Sequence, residues 1–214
     1  MYRSVITIDG CAAAGKGTLA RRIAEYFDIN YLDTGLLYRA VGALMLDRCI
    51  DLDDELAACT IAQQIDCRGV FNLDLMGPEI GNSASRIAVY AGVRAALLGF
   101  QRDFACTPPG AVLDGRDVGT VVCPEACVKF FVTANVEERT RRRILELGAR
   151  GYEISYEEVY RDLVDRDTLD TNRLIAPLKI APAACVLDTS LLGCDEVFDI
   201  ALDAIRASEF AISV

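Results

Sequence analysis

The chain has 214 residues, of which 52% are hydrophobic and 25% are charged, and its formal net charge is −10. This composition excludes a disordered chain and is typical of a globular domain with a large core. The acidic balance disfavours a general nucleic-acid-binding surface, so we expect any cationic site to be local.

The residue types also limit which cellular environment and which catalytic groups we expect. We see no signal peptide and no apolar run long enough to span a bilayer, and we therefore expect no membrane association. Because histidine is absent, catalysis would use carboxylates, arginine, lysine and the backbone. We interpret the nine cysteines, which form no Cys-x-x-Cys pair, as reduced and mostly buried thiols of a cytoplasmic protein. The many arginines suit phosphate binding, although a genomic bias would produce the same count.

The first predicted strand leads into a glycine-bounded loop and then a helix, which is the context of a phosphate-binding loop. The strand is 5–8, and Leu19, Ile23 and Phe27 recur at helical spacing after the loop. The glycines allow backbone N–H groups to surround an anion, and the lysine adds a mobile charge. Glycine stands directly after the lysine, where serine or threonine is usual. The loop residues are Gly10, Cys11, Ala12, Ala13, Ala14, Gly15, Lys16, Gly17 and Thr18.

The rest of the chain alternates strands with helices, which predicts an α/β fold with a parallel sheet and helices on both faces. The further strands are predicted at 31–32, 111–114, 127–132 and 184–187. The further helices are predicted at 33–45, 51–65, 82–90, 93–104, 137–147, 156–165 and 195–212.

Four segments carry more specific expectations. Thr34 or Asp33 would cap the second helix, and residues 67–78 favour a small β insertion because polar and apolar residues partly alternate. The segment 82–85 would cap the helix that follows it. The charged segment 166–173 could be no more than a solvated helix end.

Asp114 ends a buried strand at the edge where ligands gather in open α/β sheets. A carboxylate in that position, opposite a phosphate loop, commonly holds Mg²⁺ or its waters.

Taken together, these motifs resemble the bacterial-type cytidylate kinases, a branch of the nucleoside monophosphate kinases. The resemblance covers nearly the whole chain and includes the glycine after the loop lysine. It is carried by 6–10, 15–18, 31–35, 38–39, 93–98, 101–102, 114–120, 166–167, 170, 172–173, 176–178 and 187–190. It implies a three-layer P-loop fold with a central parallel five-stranded sheet, a small monophosphate-binding insert and a short lid.

The same resemblance implies transfer of the γ-phosphoryl group of ATP to CMP or dCMP, with Mg²⁺ held through ATP phosphates and waters. On the donor side it implies ATP binding by residues 10–18 and Arg142. On the acceptor side it implies CMP binding by Thr34, Tyr38, Arg39, Ser85, Arg94, Arg116, Asp117, Asp170 and Arg173. The catalytic set implied by the resemblance is Lys16, Asp114, Arg116 and Arg166.

Within the acceptor set, the resemblance assigns base recognition to Ser85, Arg94, Arg116 and Asp117. It assigns the α-phosphate to Arg39, and the ribose side to Asp170 and Arg173. The expected organisation is one monomeric domain over 1–214. Its core would be roughly 1–35, 105–147 and 166–214, its insert 36–104 and its lid 148–165.

Two departures from the family pattern are expected to matter. Cys11 stands where the family more often has proline, and it offers a target for thiol-reactive inhibitors. The stretch around 74–84 is shorter than the family's usual insert.

Two other interpretations stay open. One is a P-loop kinase for another acceptor, such as UMP or a metabolite alcohol, against which the base-reading set argues. The other is a non-catalytic nucleotide-binding switch or scaffold, against which Lys16, Asp114 and the basic lid argue together.

Overall fold

The computed structural model describes residues 4–210, apart from the side chains of Phe71 and Asn72. The strands are β1 Val5–Gly10, β2 Asn30–Asp33, β3 Ala111–Gly115, β4 Val128–Thr133 and β5 Cys185–Asp188. The helices are α1 Lys16–Phe27, α2 Gly35–Asp47, α3 Glu55–Gln64, α4 Pro78–Ile87, α5 Ala91–Ala105, α6 Val136–Ala149, α7 Tyr156–Asn172 and α8 Cys194–Arg206. A 3₁₀ turn at Gly69–Asn72 and a π-helical turn at Val118–Val122 complete the elements.

The five strands form one sheet in the order β2-β3-β1-β4-β5, and every neighbouring pair is parallel. The central strand β1 is buried along its whole length, as expected for a strand with helices on both faces. Its Ile8 pairs with Asp114 of β3 and with Phe130 of β4. The carboxyl ends of the strands therefore share one edge, where the phosphate loop begins.

Helices cover both faces of the sheet, and the predicted fold class is confirmed. Ile6 and Ile8 of β1 pack in a cluster with Ile23 of α1 and Val197 of α8. Val5 packs on the opposite face in a cluster that includes Ala105 of α5. This alternation follows from the two-residue period of a strand.

A separate hydrophobic cluster joins α2, α3, α4 and α5. Leu37, Val41 and Met45 of α2 pack there against Ile87 of α4 and Leu97 of α5, all of them buried. Residues from 37 to 97 therefore have a small core of their own beside the sheet.

The predicted β insertion at 67–78 is wrong, because this segment contains a 3₁₀ turn and no strand among the described residues. The Asp66 side chain accepts a hydrogen bond from the Arg68 N–H at 3.0 Å, and that local bond closes a turn instead of a strand. Helix α4 begins at Pro78, which stands in its first turn, so the prediction that 82–85 would cap this helix is also wrong. Ser83 instead lies inside the helix, where its hydroxyl donates to the Ile80 carbonyl at 2.9 Å.

Three other helix limits differ from the predictions. Helix α6 continues past the predicted end at 147 to Ala149. Helix α7 continues past the predicted end at 165 to Asn172, so the charged segment 166–172 is helical and reaches the site described below. Helix α8 ends at Arg206, short of the predicted 212, and residues 211–214 lie outside the described part of the chain.

The nine cysteines are free thiols, but of these only Cys123 is buried, so the prediction that most of them are buried is wrong. Within residues 4–210, no helix combines the length and the apolar character that crossing a membrane requires.

Candidate active site

A cleft of about 820 Å³ opens at the carboxyl edge of the sheet. It lies between the phosphate loop, the beginning of α2, α4, the end of β3 and the facing sides of α6 and α7. Eleven lysine and arginine residues line it against five aspartate and glutamate residues. The site is therefore locally cationic although the whole chain carries a formal charge of −10, which suits anionic ligands.

The phosphate loop has the backbone that the glycines predicted. Gly10 has φ +145°, and a Cβ there would lie 1.9 Å from the Val132 carbonyl oxygen, so only glycine fits. Gly15 precedes α1 in the left-handed conformation. Lys16 is the first residue of α1, and its Nζ donates to the Cys11 carbonyl at 2.7 Å. Backbone N–H groups at this helix start are available to an anion.

A negatively charged ligand would stabilise the protonated form of Lys16. Burial and, after it, the Arg116 charge lower the pKa of its ammonium to about 7, and Asp114 opposes both. An arriving phosphate would supply the counter-charge that favours the protonated form.

Two side chains beyond the predicted set hold the loop from outside. The Thr189 hydroxyl donates to the Ala14 carbonyl at 3.0 Å and itself accepts from Arg142 Nη1 at 2.8 Å. Arg139 is buried, forms an ion pair with Asp167 at 2.7 Å and points Nη1 at the Ala12 carbonyl at 3.4 Å. Thr189 directly follows β5, and this strand-end position is the signal that could have identified it.

Asp114 lies beside the beginning of α1. A Cβ at Gly17 would stand 3.4 Å from Asp114 Oδ2, and the Tyr31 hydroxyl donates to the same oxygen at 3.5 Å. Asp33 is the register partner of Asp114 on the neighbouring strand. Burial raises the pKa of Asp114 well above its ordinary value, and the Asp33 charge raises it further.

This carboxylate pair would be stabilised by a nearby cation. No group of three or more potential metal ligands occurs among residues 4–210. The pair nevertheless fits Mg²⁺, which keeps several waters and is usually bound through one or two carboxylates and the phosphates of its ligand.

On the opposite side of the cleft, buried charges of alternating sign form a chain. Arg94 of α5 forms an ion pair with Asp117, whose other oxygen lies 3.5 Å from Arg173 Nη2. Arg173 also lies 3.5 Å from Asp170, and Asp170 accepts from Arg116 Nε at 2.8 Å. Three guanidinium groups are thus held by two carboxylates, and the order is Arg94–Asp117–Arg173–Asp170–Arg116. Such pairing is what allows charges to be buried.

Aromatic and hydroxyl groups line the same side. Arg94 lies over the Tyr38 ring at 5.5 Å, and the Ser85 hydroxyl donates to the Gly81 carbonyl at 3.4 Å. The Thr34 hydroxyl donates to the Asp114 carbonyl at 2.8 Å. These hydrogen bonds hold the Ser85 and Thr34 hydroxyls in place beside the cleft.

The middle of the cleft brings together Arg39 and Arg166, neither of which forms an ion pair with a carboxylate within residues 4–210, although Arg39 Nη1 donates to the Leu75 carbonyl at 2.9 Å. A Cβ at Gly81 would lie 3.4 Å from Arg39 Nη1 and 3.7 Å from Arg166 Nη1. Arg166 Nε is buried and has no hydrogen-bond partner in the described part of the chain. Burial and, after it, the Arg116 charge lower the pKa of Arg166 to about 9. Arg143, absent from the predicted set, also lines this part of the cleft.

The cleft gathers the predicted site residues from distant parts of the sequence. All of them line it except Gly10 and Cys11, which lie at the base of the loop. The tip that follows α6 also meets the segment before α4, since Arg150 Nη1 lies 3.4 Å from Asp74 Oδ1.

Comparison with known proteins identifies relatives along nearly the whole chain. The family model described as cytidylate kinase matches residues 6–207. The cytidylate kinase of Paramagnetospirillum magneticum is 53% identical over 205 residues, covering 94% of this chain and 97% of that protein. The cytidylate kinase of Azorhizobium caulinodans is 52% identical over 198 residues, covering 92% and 96%.

These relatives are matched over almost their full length, so the short stretch near 74–84 is not a large deletion relative to them. A solved structure of an uncharacterized protein from Eubacterium ventriosum is similar in fold. Its TM-score is 0.57 at 12% identity, with 95% of this chain and 98% of that chain covered.

Proposed function

The chain belongs to the cytidylate kinase family, and on this premise we propose that its cleft transfers the γ-phosphoryl group of ATP to CMP or dCMP. The observation that carries the proposal is the pairing of two different sites in one cleft. A phosphate loop with a buried lysine lies on one side, and an ordered chain of five paired charges lies on the other. A simple nucleotide-binding switch has no use for the second site.

We assign the donor site to the loop residues 10–18 and to Arg142. The loop N–H groups and Lys16 would bind the β- and γ-phosphates. Arg142 is fixed above the loop by its bonds to Thr189, at 2.8 Å to the hydroxyl and 2.7 Å to the carbonyl. This position suits a contact with the donor nucleotide.

We assign the acceptor site to the paired charges and their neighbours. Arg94, Asp117 and Ser85 would recognise the base, because their guanidinium, carboxylate and hydroxyl groups offer both donors and acceptors. Arg173 and Asp170 would bind the ribose side. The remaining members of the proposed acceptor site are Thr34, Tyr38, Arg39 and Arg116.

Phosphoryl transfer needs little covalent chemistry from the protein, and positioning and charge neutralisation supply most of the catalysis. Lys16, Arg116 and Arg166 would stabilise the charge of the transferred group. Asp114, with Asp33 beside it, would hold the waters of Mg²⁺. Mg²⁺ held there would offset the charge of the ATP phosphates.

We propose that the chain is divided into a core (1–35, 105–147 and 166–214), a monophosphate-binding insert (36–104) and a lid (148–165). The separate cluster of apolar side chains from 37 to 97 supports an insert that moves as a unit. Closure of the lid would exclude water, which otherwise competes as acceptor. The expectations of a monomer and of a cytoplasmic location stay predictions.

The proposal is tested by measuring ADP release with Mg·ATP and CMP, dCMP, UMP, AMP or GMP, with chromatographic identification of the diphosphate. We expect CMP and dCMP to be the preferred acceptors. The control is Lys16→Met, which should retain the fold by circular dichroism and lose turnover. A preference for UMP, or ATP hydrolysis without a phosphorylated nucleotide, would contradict the assignment.

A further inference from the structure

Asp9 is a buried carboxylate to which the proposed mechanism gives no role. It is the penultimate residue of β1, directly before Gly10, and its exposed fraction is 2%. Each carboxylate oxygen accepts one backbone N–H: Oδ1 from Val118 at 2.8 Å and Oδ2 from Gly119 at 2.7 Å. A buried carboxylate with both oxygens bound to amides is a strong and directional link.

The two amides belong to the beginning of the π-helical turn Val118–Val122, which follows the acceptor residues Arg116 and Asp117. The Asp117 carbonyl accepts from the Val121 N–H at 2.8 Å, so the turn closes on itself. The first amides of such a turn have no partner inside it and need one from elsewhere. Asp9 supplies that partner from another strand.

The contact is close enough to require glycine at position 119. A Cβ there would lie 2.8 Å from Thr7 Oγ1 and 3.2 Å from Asp9 Oδ2. The turn therefore lies directly against the Thr7 and Asp9 side chains of β1, and a displacement of Asp9 would disturb both hydrogen bonds.

Strand β1 is the fixed partner in this contact. It lies in the middle of the sheet and is paired with β3 on one side and β4 on the other. The turn has no strand pairing of its own, so its position depends on what it contacts. Arg116 and Asp117 at its beginning belong to the ion-pair chain, so a shift of the turn would move the acceptor side relative to the donor loop.

Phosphoryl transfer is sensitive to such a shift, because a misplacement of about 1 Å far from the chemistry can cost on the order of a hundredfold in rate. We propose that Asp9 is a positioning residue that holds the segment from Arg116 to Gly119 at a set distance from the phosphate loop. The proposal rests on the function proposed above, since it concerns the alignment of the two nucleotides.

Asp9 is suited to this role at the pH of a kinase assay. Burial raises its pKa, the amides of Gly119 and Val118 lower it and the Asp117 charge raises it, so that the pKa lies at about 6. At pH 8 the group is therefore ionised, and both oxygens can accept.

The test is steady-state kinetics of Asp9→Asn at pH 8 with Mg·ATP and CMP. An asparagine keeps the shape but turns an NH₂ group toward one of the two amides, so one bond is lost. We expect kcat to fall about tenfold or more and KM for CMP to rise about fivefold, with KM for ATP changed less than about twofold. Gly119→Ala disturbs the same contact from the turn and should give the same pattern, which keeps the test informative if Asp9→Asn folds poorly.

The matched control is Ile6→Val, which removes buried atoms from the same strand on the face that packs against α1 and α8, away from the cluster that holds Val118 and Val122. It should lower the melting temperature while leaving kcat and both KM values within about twofold of wild type. If Asp9→Asn lowers only the melting temperature, or raises both KM values alike at unchanged kcat, the proposal is wrong. An inactive wild-type enzyme would contradict the proposed function and this proposal with it, whereas an unimpaired variant of an active enzyme contradicts this proposal alone.

Discussion

The lowered pKa of Lys16 leads to a quantitative prediction about nucleotide binding. Burial and, after it, the Arg116 charge lower this pKa to about 7, against an ordinary value near 10.4. At pH 8, about one unit above that pKa, the free enzyme would hold the lysine about 10% protonated. A phosphate beside Nζ favours the ammonium, so binding of ATP at pH 8 should take up about 0.9 proton.

The measurement is isothermal titration calorimetry with Mg·ATP at pH 8, without acceptor, in buffers of different ionisation enthalpy. The slope of the observed enthalpy against the buffer enthalpy equals the number of protons taken up. Phosphate groups have their second pKa near 6 and are ionised at this pH, so the ligand contributes little. At pH 6, where Lys16 is already protonated, the lysine's own share of the uptake should shrink to about 0.1, and partly protonated phosphate should release protons on binding.

Lys16→Arg is the matched control, because arginine retains the positive charge and stays protonated at every pH used. Its binding enthalpy should show no dependence on the buffer at pH 8. A wild-type uptake below about 0.2 proton at pH 8, or the same uptake in Lys16→Arg, would refute the reasoning. The lowered pKa of Lys16 also makes stability depend on pH. Because this lysine binds its proton more tightly in the unfolded chain, the free energy of unfolding should rise with pH between about 7 and 10.

Two further predictions concern the acceptor and metal sides of the cleft. Arg94→Ala should raise KM for CMP more than about tenfold and leave KM for ATP within about twofold; equal effects on both substrates would contradict its base-reading role. It should also lower the free energy of unfolding by about 3 kcal/mol in urea denaturation, because buried Asp117 loses one of its two arginines. Asp114→Asn should lower kcat about a hundredfold and raise the Mg²⁺ concentration needed for half-maximal rate. An unchanged Mg²⁺ dependence would remove Asp114 from the metal site.

The sheet and the phosphate loop could be predicted because their signals are local. Each strand is a short apolar run between turn residues, and the loop is a contiguous motif from Gly10 to Thr18. The β insertion predicted at 67–78 is wrong because its formation would depend on a partner strand and not on the local pattern alone. Alternating polarity alone does not make a strand, because a strand needs a neighbour to pair with. Asp66 instead closes a local turn through its 3.0 Å bond to Arg68.

The end of α7 depended on distant contacts and could not be predicted from local pattern. Segment 166–172 carries alternating charges that are equally compatible with a solvated helix end. In the structure Asp170 is buried because Arg116 and Arg173 lie against it. Arg116 comes from a part of the chain more than fifty residues earlier. Such partners are chosen by the sheet topology, which brings the strand ends together.

The two sides of the cleft differ in how their charges are balanced, and this difference explains how an acidic protein can bind two anionic nucleotides. On the acceptor side, each of Arg94, Arg116 and Arg173 contacts a buried carboxylate. Their positions are therefore set before a ligand arrives, which reduces the entropy lost on binding.

Near the phosphate loop, three cationic groups are not balanced by carboxylates of the described residues in this way. Burial lowers the pKa values of Lys16, Arg39 and Arg166, and neighbouring guanidinium groups lower each of them further. These groups repel one another until an anion lies between them, so their interaction strengthens as negative charge builds up on the transferred phosphoryl group. Paired charges therefore suit recognition of the base and ribose, and unpaired charges suit stabilisation of the transition state.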